Sequence, residues 1–244
     1  MIEINTFQKP IWQTIEELGN KKICHLKNPN SSIKDLSLKT STISSPNKYS
    51  SKIKDYTNKT LGHDIYGIYP EDDKIVDFSM QIEPEYRNEG LYLGELLRLK
   101  SIIELLENGL SHIELTSKET AIFFHSKYKF QPKITSFTQR DFTLSSIIQN
   151  AQKGYEEFAN EAKKLVEKIK QNTCGKLQRE YCKDTNKLAD KYIQQVLSTQ
   201  KQEYKKHPFR FPINMILTEE QIRNNKEFFN KLFSKHGIDY KIKE

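Results

Sequence analysis

The residues best arranged for chemistry run from Ile82 to Tyr92, in the order Ile-Glu-Pro-Glu-Tyr-Arg-Asn-Glu-Gly-Leu-Tyr. A strand pattern ends at Pro84, Arg87 follows, and Gly90 opens a helical pattern. The first N–H groups of a helix have no partner within it, and the helix dipole adds partial positive charge there. A pyrophosphate can rest on those groups if no side chain blocks it, and Gly90 gives that clearance. On a bland reading Gly90 is a turn residue and Arg87 a surface charge. The place of Gly90 between a strand and a helix favours anion binding for it; for Arg87 the case rests mostly on the motif described below.

Three further side chains can carry a proton. His125 suits acid or base work near neutral pH, or else simply packs on its helix. Tyr128 is a reserve acid, with packing as its other role. Asp77 shares one strand face with Ser79 and Gln81, opposite Val76, Phe78, Met80 and Ile82. A carboxylate there is either a base aimed at an acceptor or part of a solvated strand face, and Glu83 stands in the same position. Cys24, Cys174 and Cys182 form no disulfide framework, and with His25 they lack zinc-ligand spacing.

The elements that must position these groups are legible in the centre of the chain. Ile65–Tyr69 and Ile75–Ile82 read as a hairpin, turning at Pro70–Asp73. Leu93, Leu96, Leu97, Leu99, Ile102, Ile103 and Leu106 recur at helical spacing, and Asn108 and Gly109 stop that helix. Ile113 and Leu115 mark a strand, Lys118–Tyr128 a helix and Lys129–Thr135 a strand. A strand–helix–strand crossover of this length implies a parallel pair. Upstream, a short helix is expected near Pro10–Leu18, strands at Lys22–Leu26 and Asp35–Ser44, and loop from Ser45 to Lys59. Downstream, Asp141–Lys206 reads as a helical hairpin. Its first helix is marked from Ile147 through Ala151 and Tyr155 to Ile169, and its break falls at Asn172–Gly175. A strand at Pro208–Thr218 and a helix at Glu219–His236 close the chain.

The strand-to-helix junction resembles the pyrophosphate motif of the GNAT superfamily of N-acetyltransferases, Arg/Gln-x-x-Gly-x-Gly/Ala. Arg87, Asn88, Glu89 and Gly90 match its first half, Ile82, Pro84 and Tyr86 fit the approach, and Tyr92 stands at the final Gly/Ala position. A second segment, Ala121 to Phe130, is similar to the family's Ala-x-x-Phe-Tyr-x-x-x-Gly-Phe. There His125 takes the place of the tyrosine that protonates the CoA thiolate, and Lys129 replaces the glycine. The resemblance covers Leu61 to Thr135, about a third of the chain. It implies that acetyl-CoA is the co-substrate and that backbone amides from Arg87 through Asn88, Glu89, Gly90 and Leu91 to Tyr92 hold its pyrophosphate. It also implies that Lys118 meets the pantetheine arm and that a backbone N–H near Met80, Gln81 and Ile82 binds the thioester carbonyl. An amine would attack directly, with no covalent enzyme intermediate.

The expected fold is α/β, a mixed twisted sheet flanked by helices. Residues 1–60 supply its first strands and loops, residues 61–140 the acyl-CoA-binding core, residues 141–206 a helical insertion, and residues 207–244 the last strand and helix. The expected activity is N-acyl transfer to an amine, on a small molecule or a protein. The alternative is a non-catalytic member that binds CoA or works through its helical hairpin as a protein-interaction module. The net charge of +7 is attractive to anions, but the lysines are dispersed among Glu and Asp, so a nucleic-acid partner is not expected. The N-terminus has no signal-peptide pattern and no stretch approaches a membrane span, which points to a cytoplasmic protein.

Overall fold

The computed structural model describes residues 11–18, 21–27, 36–43, 45–87, 91–151, 154–172, 175–199, 209–236 and 238–243. Its strands and helices in chain order are β1 Ile11–Leu18, β2 Lys21–Lys27, β3 Leu36–Ile43, β4 Ser45–Lys54, β5 Thr60–Tyr69, β6 Lys74–Ile82, α1 Leu93–Glu107, β7 His112–Ser117, α2 Ile122–Lys127, β8 Gln131–Pro132, α3 Phe137–Asn150, α4 Glu156–Gln171, α5 Gly175–Thr199, β9 Ile213–Thr218, α6 Glu219–Asn224 and α7 Lys226–Lys235. The fold is α/β, an open mixed sheet flanked by helices. The chain forms two compact units, one of residues 1–113 and 218–244, the other of residues 114–217.

In the first unit β1 to β6 form an antiparallel meander, each strand pairing with the next. The helix expected near Pro10–Leu18 is instead the strand β1, antiparallel to β2 with a register shift between Thr14 and Glu16. The stretch expected as loop from Ser45 is also a strand, β4. Serines hid its alternation. Ser51 is buried like an apolar residue because its hydroxyl pairs with that of Thr40 on β3, 2.9 Å away.

Helix α1 packs on β5 and β6. Its buried residues wrap around most of its circumference, from Leu93 through Leu96, Leu97 and Leu99 to Leu105. Leu36, Leu38, Ile53 and Leu61 complete that core from the strands. The helix ends where Gly109 takes a φ of +63°.

One irregularity in β6 reorganises this side of the sheet. Ile65 faces Ser79, but the next residue, Tyr66, faces Asp77, so Phe78 is an extra residue in β6. An extra residue reverses the inward–outward alternation beyond it. Ile75 and Asp77 are buried before the bulge; Met80 and Ile82 pack on the α1 core after it. The single face expected for Val76, Phe78, Met80 and Ile82 is therefore broken in the middle. Phe78 is left 49% exposed and Asp77 is on the buried side.

The second unit holds α2 to α5 with β8 and β9 antiparallel. The long first helix of the expected hairpin is two helices, α3 and α4, because the chain turns at Gly154 with φ +98°. Ser136 caps α3 by accepting the Gln139 N–H at 3.2 Å. Tyr192 of α5 centres the packing, with rings of Phe158 and Phe209 at 5.5 and 6.2 Å. Asn186 of α5 clamps Ile134, accepting its N–H at 2.7 Å and donating to its carbonyl at 3.3 Å. The final helix likewise divides into α6 and α7 at Asn225, whose side chain donates to the Gln221 carbonyl. No described helix is long and apolar enough to cross a membrane.

Candidate functional site

The strand-to-helix junction of the first unit is built by local hydrogen bonds. Glu83 N donates to Leu61 O at 2.9 Å, which holds the end of β6 on β5. Pro84–Tyr86 make a 3-10 turn, and the Arg87 guanidinium folds back to donate through Nε to Ile82 O at 2.9 Å. Beside the turn, Lys59 pairs with Glu85 at 2.5 Å and covers the Tyr86 ring. That contact holds the Glu85 carboxyl below its ordinary range and the Lys59 ammonium above its own. Asn88, Glu89 and Gly90, the heart of the expected anion cradle, lie outside the described residues. Leu91 is buried in the core.

Tyr92 is the N-cap of α1 with φ +53° and ψ +32°, and its carbonyl accepts the first helical N–H, from Leu96, at 3.0 Å. This left-handed backbone is one that glycine adopts freely and tyrosine does not. The helix therefore starts at Leu93, three residues later than a start at Gly90 would give.

The first turn of α1 carries a cluster that sequence reasoning missed. Glu95 is buried and its Oε1 is bonded by His236 Nε2 and, at 2.7 Å, by Lys235 Nζ. Lys235 Nζ also lies 4.1 Å from the centre of the Tyr92 ring, and the His236 ring meets Tyr92 edge-on. A carboxylate at a helix N-terminus is favoured by the same dipole that would hold a phosphate. Here it is balanced by two basic groups from the far end of the chain. The only sequence signal was Glu95 itself, a charged residue inside an otherwise leucine-rich stripe.

Asp77 lies among buried polar groups. Arg98 of α1 donates to its Oδ2 at 2.6 Å, and neither side chain meets solvent appreciably. Next to them Asp64 of β5 is fully buried and accepts from Ser101 Oγ at 3.1 Å. Burial, and then the charge of Asp77, pushes the Asp64 carboxyl up to about 8. Farther along the helix Tyr66 donates to Glu104 at 2.8 Å, and Lys100 bridges the two. Arg98 was the available signal for this network, as a charge on a helix face that is apolar on both sides.

In the second unit His125 sits on α2, buried against the rings of Phe124 and Phe130 at 5.2 and 5.7 Å. Tyr128 follows at the end of α2, buried beside Phe124. Lys129 then turns the chain with φ +69°, again left-handed, with its N–H on Ser126 O at 3.0 Å. Lys118 is exposed in extended backbone before the turn into α2. Thus Asp77, Met80, Gln81, Ile82, Arg87, Leu91 and Tyr92 belong to one unit, and Lys118, His125 and Tyr128 to the other. Among the described residues no group of three His, Cys, Asp or Glu side chains could hold a metal ion.

No family model and no curated protein matches the chain. Among solved structures it is similar to GNAT-family acetyltransferases. Tetrahymena GCN5 is 13% identical with a TM-score of 0.34, over 36% of this chain and 54% of that one. PaiA N-acetyltransferase from Thermoplasma acidophilum, solved in complex with coenzyme A, is 16% identical with a TM-score of 0.31, over 37% and 56%. Nourseothricin acetyltransferase is 13% identical with a TM-score of 0.33, over 51% and 71%. The chain thus spans about half the length of the first two.

Proposed function

We propose that the protein transfers an acyl group from acetyl-CoA to an amine. The observation that carries this reading is the pair of described segments on either side of residues 88–90, the end of β6 and the start of α1. A bulged strand ends in a turn held by Arg87, and a left-handed residue, Tyr92, opens a long buried helix. On this reading the unpaired N–H groups at the start of α1 hold a pyrophosphate. Backbone amides of Met80, Gln81 and Ile82 would orient the thioester. The amine nitrogen attacks the carbonyl carbon, the carbon–sulfur bond breaks, and the thiolate takes a proton from a general acid. The proton lost by the amine goes to a base. Asp77 serves that role only if its bond to Arg98 opens.

A second reading, a CoA-binding or protein-interaction module without catalysis, is favoured by two observations. Asp77 is engaged by Arg98, and Glu95 already places a negative charge on the first turn of α1.

Thermal unfolding with and without excess acetyl-CoA tests the co-substrate, with Gly90→Glu as control. Ligand at about a hundred times its Kd stabilises by about 2.7 kcal/mol, roughly 5–10 °C for a chain of this size. A rise in the parent but not in a folded Gly90→Glu variant supports the site. No rise with either acetyl-CoA or free CoA removes it. A rise without turnover across an amine panel selects the second reading.

A further inference from the structure

The lysines that look dispersed along the chain are gathered by the register of β3 to β6. Lys39 of β3 stands directly opposite Lys52 of β4, Lys52 opposite His63 of β5, and His63 opposite Gln81 of β6. Residues directly opposite share a face. Leu38 and Ile53, one position along, are buried toward α1, so this row looks away from the helix, and both lysines are exposed. Lys48 of β4 lies on the same side, its Nζ 5.3 Å from the centre of the exposed Phe78 ring. These four strands contain only two carboxylates, Asp64 and Asp77, and both are buried on the opposite side. Lys39, Lys48 and Lys52 make no ion pair among the described residues.

Like charges directly opposite on a sheet are unfavourable. A face that places Lys39 against Lys52 and holds no carboxylate from β3–β6 is complementary to a polyanion. The bulge adds the second component. It turns Phe78 out of the core and sets an open aromatic ring beside an ammonium group. We propose that the outward face of β3–β6 binds single-stranded nucleic acid, with Lys39, Lys48 and Lys52 on phosphates and Phe78 stacking a base. Rows of cations with an exposed ring are the elements of a sequence-tolerant single-strand site. Single-stranded nucleic acid uses both components at once, its phosphates on the lysines and a base on the ring.

The test is fluorescence anisotropy of a labelled uridine oligonucleotide of about 12 nucleotides across a salt series, within the length one small domain can cover. Neutralising three phosphate contacts changes the slope of log K against log salt by about 2. The triple variant Lys39→Gln, Lys48→Gln, Lys52→Gln is expected to flatten the slope by that amount. Phe78→Ala is expected to weaken binding about tenfold with the slope unchanged. All four residues are solvent-facing, and circular dichroism melts check that the variants fold. The single variant Lys52→Gln is expected to melt no lower than the parent, because it relieves the opposition to Lys39. The proposal is overturned by no binding at low salt, or by binding that both the triple variant and Phe78→Ala leave intact. Loss in the triple variant alone, with capture on phosphatidylserine vesicles, would instead indicate a membrane surface.

Discussion

Arg98 of α1 donates to Asp77 of β6 at 2.6 Å, with both side chains buried between helix and strand. The pair ties the strand immediately before the bulge to the helix that carries the candidate anion site. Removing one partner of a buried pair leaves an uncompensated charge and costs about 3–5 kcal/mol. Arg98→Met is expected to lose that much in urea unfolding. Adding Asp77→Leu to it is expected to recover most of the loss. An Arg98→Met variant as stable as the parent would mean the pair contributes nothing.

Asp64 gives stability a direction in pH. Its carboxyl is raised to about 8 in the fold, chiefly by burial and next by Asp77, with Arg98 and Lys100 opposing and Ser101 hydrogen-bonded to it. The unfolded chain loses that proton near the ordinary value of about 3.8, so between roughly pH 4 and 8 the folded state holds one proton more. Stability from this group is therefore complete below about pH 4 and declines as pH rises to about 8. Scanning calorimetry from pH 5 to 8.5 is expected to show a falling Tm, and Asp64→Asn a flatter profile. Equal slopes would refute the assignment.

Tyr92 and Lys129 occupy left-handed backbone, φ +53° and +69°. They stand at the two positions where the resembled motifs carry a small residue or glycine. Lys129→Gly removes strain of about 1–2 kcal/mol while loosening the unfolded chain by about 0.4–1 kcal/mol, so it is expected to be neutral or slightly stabilising. Lys129→Val, β-branched in the same conformation, is expected to destabilise by about 1–2 kcal/mol. The difference between the two denaturation midpoints is the readout.

Glu95 is held by Lys235 and His236. Glu95→Gln removes the negative charge while keeping the shape, and it leaves the two basic groups facing the N-terminus of α1. Stability is expected to fall by about 2 kcal/mol or more, since both contacts lose their charged acceptor. Affinity for CoA is expected to rise if its phosphates compete for that terminus. Calorimetric titration of the parent and Glu95→Gln with CoA compares the two, and a lower affinity in the variant would show that Glu95 supports the site.

The local physics of the chain was readable in order. The turn at Pro70–Asp73, the run of leucines that became α1 and the stop at Gly109 each follow from residues within a few positions of one another. What involved partners distant in sequence was not. The serines of β4 read as loop until Thr40 and Ser51 were paired across the sheet. Asp77 alternated like a solvated residue because one extra residue, Phe78, has no signature in the pattern. Glu95 and His236 are 141 positions apart, and only folding makes them neighbours. The sequence by itself determined the turn at Pro70–Asp73, the leucine-rich helix α1 and its stop, because propensity, capping and periodicity act over a turn or two. Tertiary structure decided which face of each strand is buried and which charges meet, because register and burial are properties of pairs of segments.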